Sequence, residues 1–365
     1  MKTLSRTTKK RTTTKTVPPC CQTIGIDLGD QWSYYCVLDE AGEIAEEGRF
    51  RTTEAALRKH FASIEKARIA FEAGTHSIWI SEQLRQYGHE VLVAHVSELP
   101  SLSRSDRKCD RVDAEKLARY ARIDPGLWRP LSHRSVARQE SLILVRARDV
   151  LVRVRTDLIN AVRGLAKPCG YRLPKSATRC FPKRCLASVP EGWLPALPPL
   201  FIQIESSNEQ IKAYDRLILQ MATEQYPETQ ALSQVNGVGT LTALTFVLTL
   251  ADKHRFRQSR DVGCYLGLRP KRSQSGEHDP QLGITKAGNS YLRRLLTECA
   301  HYIVGPFGKD SALQRWGRHW AARGGKKARA RAVTAVARQL AVLLHRLWVT
   351  QAEYIPFPER QPAVA

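Results

Sequence analysis

Four carboxylates stand where a hard cation could be held. Asp27 closes the run QTIGID, Glu72 closes ARIAFE, and Asp110 and Asp113 lie in CDRVDAEKL. The first two runs are short, apolar and rich in β-formers, which predicts buried strands. A carboxylate at the end of a buried strand is costly unless it is paired or binds a cation. Asp110 and Asp113 are three residues apart, so on a helix they share one face. Together the four can supply an all-oxygen cage for Mg²⁺ or Mn²⁺, the chemistry used to cut phosphodiesters.

A second signal lies towards the C-terminus. LSQVNGVGTLTAL places Gly237 and Gly239 in a short hairpin between two apolar helices, the second starting near Thr240. That is the helix-hairpin-helix pattern, in which backbone N–H groups approach a phosphate and the helix dipole favours its charge. Lys253, Arg255, Arg257 and Arg260 follow it. Next comes YLGLRPKRSQSGEHDPQLGITKAGNSYLRRLL, a basic, glycine-rich loop leading into a helix from about Asn289. A serine among Arg269, Lys271, Arg272, Lys286, Arg293 and Arg294 could attack a phosphate, although ordinary loop serines have the same spacing. Ser275 is favoured over Ser273 because Gly276 lets the backbone turn tightly and present the hydroxyl. No histidine is its immediate neighbour, and the sequence names no proton acceptor. From Ser311 to Ala352 there are nine Arg or Lys, including Lys326, Lys327, Arg329 and Arg331, and no acid. A tail helix there, bearing Trp316, Trp320 and Trp348, reads as a cationic and aromatic surface for nucleic acid.

The elements that must position these groups follow from periodicity. Residues 22–27, 32–38 and 44–51 alternate as three strands with short links, an antiparallel meander. Thr53 caps a helix through Leu57, Phe61 and Ile64. Residues 67–72 form a fourth strand. Thr75 or Ser77 opens a helix through Ile80, Leu84 and Tyr87, which Gly88 stops. Residues 89–96 form a fifth strand, and a helix begins near Asp113. Three antiparallel strands followed by two parallel ones is the order of the ribonuclease-H-like fold, an α/β class with acids at the strand ends. Residues 135–165 then read as an arginine-studded helix (Arg138, Arg146, Arg148, Arg153, Arg155, Arg163), and 201–222 as another. The irregular excursion between them makes a helical hairpin or coiled-coil arm, for dimerisation or for bridging nucleic acid; a solvated helical face fits any single arginine as well.

Composition narrows the partners. The 365 residues carry 57 Lys and Arg against 35 Asp and Glu, a formal charge of +22. Such an excess predicts counterion-releasing contacts with DNA or RNA. No apolar run approaches the roughly 20 residues of a spanning helix, so no membrane is expected. The first 19 residues hold six bases and no acid, without the apolar centre of a secretory signal, and read as a disordered basic arm. Nine cysteines without a CxxC pair argue against a zinc finger or a disulfide framework and fit a reducing cytoplasm.

Taken in order, GIDLGD, FEAG, KCDRVDAEKLARY, VNGVGTLTA, GLRPKRSQSG and ITKAGNSYLRR resemble the DEDD-plus-serine transposases of the "one-ten" family of insertion sequences, the bridge-RNA-guided recombinases. The resemblance covers nearly the whole chain after residue 20. It implies a RuvC-like domain over 21–130 with Asp27, Glu72, Asp110 and Asp113 as metal-binding catalytic acids. It implies a coiled-coil or dimerisation region over 131–226 and a serine transposase domain over 227–352 with Ser275 as nucleophile. Residues 1–20 are then the basic arm and 353–365 a tail. It further implies a homo-oligomer, a dimer or tetramer, working on donor and target DNA with a structured guide RNA. The stretch after the serine departs from the family's glycine-rich pattern, reading GEHDPQLG. Two alternatives stand beside this reading: a metal-dependent nuclease or Holliday-junction resolvase without covalent serine chemistry, and a non-catalytic nucleic-acid-binding protein.

Overall fold

The computed structural model describes residues 22–94, 109–123, 131, 133–276, 278–280, 282–325 and 327–357. The basic arm, Lys326 and residues 95 and 96 of the expected fifth strand lie outside the described residues. The chain forms two compact units, Met1–Val136 and Ala137–Ala365.

The first unit is a five-stranded sheet in the order β3-β2-β1-β4-β5. β1 (Thr23–Asp27) pairs antiparallel with β2 (Trp32–Leu38), which pairs antiparallel with β3 (Ile44–Arg51). Parallel pairing on the other side joins β1 to β4 (Arg68–Glu72) and β4 to β5 (Glu90–Ala94). Between them come α1 (Glu54–Phe61), whose first turn Thr53 caps by accepting from the Ala56 amide, and α2 (Ser77–Gln86). α3 (Asp110–Ile123) completes the unit. Side chains alternate across the sheet. Ile24, Ile26, Ile69, Phe71, Val91 and Val93 pack with Leu57, Phe61, Ile80 and Leu84 of α1 and α2. Ala70, Leu92 and Ala94 meet Leu117 and Ala121 of α3, and Cys36 and Leu38 meet its Ala114 and Ala118. The α3 face is built from small residues, so that helix lies very close to β1. A Cβ on Gly25 would stand 2.0 Å from the Ala114 carbonyl oxygen and 2.4 Å from the Ala118 nitrogen.

α3 begins at Asp110, earlier than the start near Asp113 that periodicity suggests. Both aspartates therefore occupy its first turn, where the positive end of the helix dipole favours anions.

The second unit is helical. α4 (Val136–Ala166) and α6 (Pro198–Glu224) run antiparallel as a hairpin. Its register is pinned by Arg148 to Asp215 at 2.5 Å and by Arg155 donating to Asn208 at 2.9 Å. The excursion between them folds around α5 (Phe181–Leu186), whose Phe181 and Cys185 are buried with Ile159, Val162, Phe201 and Ile204. Beyond the hairpin come α7 (Glu228–Ser233), α8 (Thr240–Leu250), α9 (Asp261–Tyr265), α10 (Ser290–Val304), α11 (Ala312–Ala322) and α12 (Ala328–Thr350). They enclose a core of Leu244, Phe246, Val247, Leu296, Val336, Leu340 and Leu344.

Two sequence expectations are corrected here. The basic tail is two helices, α11 and α12, parted at Gly324 and Gly325, both of which have positive φ. Trp348 is not a surface aromatic: it is 5% exposed and packs edge-on against Phe246. α12 also meets the length and hydropathy of a membrane span, although no such run was expected. Its apolar face is the centre of the helical core, with Val333, Val336, Leu340 and Leu344 buried.

Candidate active site

Alternation settles which way the strand-end acids face. Asp27 has the parity of Gly25, and Glu72 that of Ala70, so both side chains project to the α3 side of the sheet. They close neighbouring parallel strands one step beyond the Ile26–Phe71 pair. The direction of α3 follows from its far end. There Arg68, opposite Thr23 at the start of the strands, reaches the Ala121 carbonyl at 3.5 Å. The N-terminal turn of α3 therefore lies at the end that carries Asp27 and Glu72. Asp113 is buried there, 9% exposed, and pairs with Lys116 at 3.3 Å, whereas Asp110 is exposed.

All four acids thus lie towards one end of the sheet, Asp110 and Asp113 in the first turn of the helix that covers this face. Among the described residues, no three His, Cys, Asp or Glu side chains are close enough to hold an ion between them. The donor set is all carboxylate, which fits a hard, oxygen-seeking cation. Lys116 competes for Asp113 in this arrangement.

Sequence reasoning missed a cationic neighbour on the same face. Trp32 begins β2 and shares the parity of Tyr34, the partner of Asp27. The guanidinium groups of Arg49 and Arg51 lie over the Trp32 ring at 4.6 and 4.5 Å. The signal was cross-strand: Arg51 is opposite Trp32 in the β2–β3 register, and Arg49 opposite Tyr34.

In the second unit the serine loop is a β-ribbon. Pro270 bridges Ile284, Lys271 donates to the Gly283 carbonyl at 2.9 Å, and Thr285 donates to Arg269 at 2.9 Å. At the base, the Lys286 amide bonds the Gly267 carbonyl at 3.1 Å. Gly267 and Gly288 both have positive φ, and a Cβ on either would meet backbone at 2.3 and 2.2 Å. Arg293 locks the same place, donating to the Leu266 and Ala287 carbonyls at 3.0 and 2.7 Å. The exposed tip is Ser275, paired with His278 through two reciprocal backbone bonds of 3.1 Å around Gly276, whose φ is +56°. Arg272 stands beside it, bonded to Gln274 and 3.7 Å from Asp279.

The remaining candidates divide by exposure. Gly239 is the N-cap of α8 with open space above it, while Gly237 lies against Tyr302 and Ile303 of α10. Arg257, Arg269, Lys271, Lys286, Lys327, Arg329 and Arg331 are exposed. Arg255 stacks on Phe256 and Tyr265, and Arg294 pairs with Asp149 and stacks on Tyr291, so both are engaged within the fold. Trp320 is 40% exposed and carries Arg323 at 3.8 Å.

Known proteins resemble the chain in both of its units. Residues 24–168 match a family described as "Transposase", of the DEDD type. Residues 229–315 match "Transposase IS116/IS110/IS902 family". The chain is 28% identical over 288 residues to the transposase for insertion sequence element IS1111A of Coxiella burnetii, covering 77% of each. It is equally similar, at 28% over 293 residues, to the transposase for IS1328 of Yersinia enterocolitica, covering 77% of this chain and 83% of that one. A probable family 20 transposase of Pseudomonas aeruginosa is 28% identical over 302 residues, 80% and 87% of the two chains. These matches define a transposase, an enzyme that cleaves and rejoins DNA. The chain carries transposase domains of the IS110 type, over residues 24–168 and 229–315.

Proposed function

We propose that this transposase moves its insertion sequence by metal-dependent strand cleavage and rejoining through a serine–DNA phosphodiester, guided by a structured RNA. The observation that carries the reading is the pairing of two chemistries. Asp27 and Glu72 close neighbouring strands at the end of the sheet where the first turn of α3 carries Asp110 and Asp113, and an exposed serine tops a braced ribbon among arginines and lysines. The strand order and the α3 packing support a RuvC-like, ribonuclease-H-like domain. The Gly237–Gly239 turn supports a helix-hairpin-helix phosphate contact.

In this reading Asp27, Glu72, Asp110 and Asp113 hold Mg²⁺ or Mn²⁺. When bound, the ion polarises the scissile phosphate and stabilises the leaving oxygen. Ser275 attacks phosphorus, and the phosphoserine conserves the bond energy, so rejoining needs no outside energy source. Lys271, Arg272 and Lys286 neutralise the phosphate at the tip. Arg49, Trp32 and Arg51 grip the backbone beside the acids, by charge and by stacking. Sequence choice rests with base pairing to the guide, which suits a protein rich in exposed cations. The helical hairpin serves assembly, as a dimer or tetramer in which the acids of one subunit work with the serine of another.

The decisive experiment traps the cleaved intermediate with denaturant and maps the DNA-linked peptide. Ser275→Ala should lose the adduct and Ser273→Ala should keep it. No adduct from wild-type protein during active cleavage would establish hydrolysis, and with it the nuclease reading.

A further inference from the structure

We infer that His278 takes the proton from the Ser275 hydroxyl as the serine attacks DNA, and returns it when the strand is rejoined. This rests on the serine reading given above. The geometry that carries it is the tip of the ribbon. Ser275 and His278 exchange both backbone hydrogen bonds, N–H of each to C=O of the other, at 3.1 Å. Residues paired in that way stand directly opposite with side chains on the same face, their Cβ atoms roughly 5 Å apart. An imidazole on that face has the reach to contact the serine Oγ. Both residues are exposed, so the phosphate approaches the pair without displacing any packing.

The charges around the tip suit the role. Arg272 is within 3.7 Å of Asp279, the residue after His278, and Lys271 and Lys286 are exposed on the two strands. These cations attract the phosphate to the tip, where the imidazole and the hydroxyl stand side by side. No other described histidine lies on the ribbon between Gly267 and Gly288.

The step balances without a further reactant. The Oγ–H bond breaks towards an imidazole nitrogen as the Oγ–P bond forms. The phosphorus–oxygen bond to the leaving strand breaks, and its oxygen takes a proton from solvent. In rejoining, the incoming hydroxyl gives its proton to solvent as its oxygen bonds phosphorus, the Oγ–P bond breaks, and the imidazolium proton returns to the departing Oγ.

The test is single-turnover adduct formation by the full-length protein with its guide RNA and a duplex carrying the element's ends. His278→Ala should slow adduct formation by about 100-fold, the size of a lost general base. Added imidazole should restore a substantial part of the rate to His278→Ala and leave the wild type unchanged. His278→Gln, which keeps the size and polarity, should stay slow. A wild-type rate in His278→Ala, or a slow rate that imidazole does not raise, would overturn the proposal while the Ser275 adduct still forms in wild type. Wild-type protein that cleaves without any adduct would instead sink the serine reading, and this proposal with it.

Discussion

Asp27 and Glu72 are held at the ends of strands whose other residues are almost fully buried, so their backbone positions are fixed by the sheet rather than by a ligand. Replacing one oxygen with an amide nitrogen removes a negative charge while leaving that frame intact. Asp27→Asn should therefore lower strand cleavage in Mg²⁺ by at least 100-fold with nucleic-acid affinity nearly unchanged. Cleavage at the wild-type rate would remove Asp27 from the metal set. His133 behaves differently. Burial, and then the charges of Arg85 and Arg134, push its pKa down to about 4 from an ordinary 6.5, and its Nε2 is buried with no hydrogen-bond partner among the described residues. The unfolded chain then binds a proton that the folded one resists. Its contribution to stability is complete above pH 6.5 and is lost as pH falls towards 4. Melting temperature followed across that window should decline, and His133→Gln should flatten the decline; equal slopes would exclude the histidine as the cause. The acids were legible in the sequence because strand-end carboxylates are conspicuous in a single run. Trp32 with its arginines and the Ser275–His278 pair were not, because each exists only through cross-strand register.

Elements carry these residues through close backbone contacts that side chains cannot replace. Gly25 admits α3 against β1, and a methyl group there would have to push the helix away from the sheet. Gly25→Ala should cost several kcal/mol, as overpacking and displacement of a buried helix add together. A small change in melting temperature would show that α3 can shift freely. Gly267 plays the same part for the ribbon, with positive φ added to the contact with Ala287. Gly267→Ala should impair serine adduct formation at least tenfold while DNA binding persists, and adduct formation at the wild-type rate would show the braced base to be dispensable. The strands and their order were legible because alternation and short links leave few alternatives. The division of the tail into α11 and α12 was not, because alanine and arginine continue the helical pattern on both sides of two glycines. The burial of Trp348 was hidden for another reason: a tryptophan in a basic helix looks the same from sequence on either face.

At the scale of the whole molecule the excess of positive charge dominates. A net +22 should make the logarithm of the binding constant for DNA and for RNA fall linearly with log salt concentration. Replacing Arg51 with Ala should weaken binding across all sequences and reduce that slope by about 1. An unchanged slope would detach the Trp32 cluster from the nucleic-acid path. Recombination should also stop after ribonuclease treatment, and efficient site-specific recombination without RNA would leave only the protein to choose the site. The chain places its acids in one compact unit and its serine in the other. That division has a genetic consequence. A mobile element accumulates broken copies, and a lesion in one unit leaves the other whole. Where subunits share their chemistry, an Asp27→Asn copy and a Ser275→Ala copy in the same cell complement each other, whereas two copies damaged in the same unit do not. Under that arrangement, decayed elements of this kind would stay mobile in company after each had become inert alone.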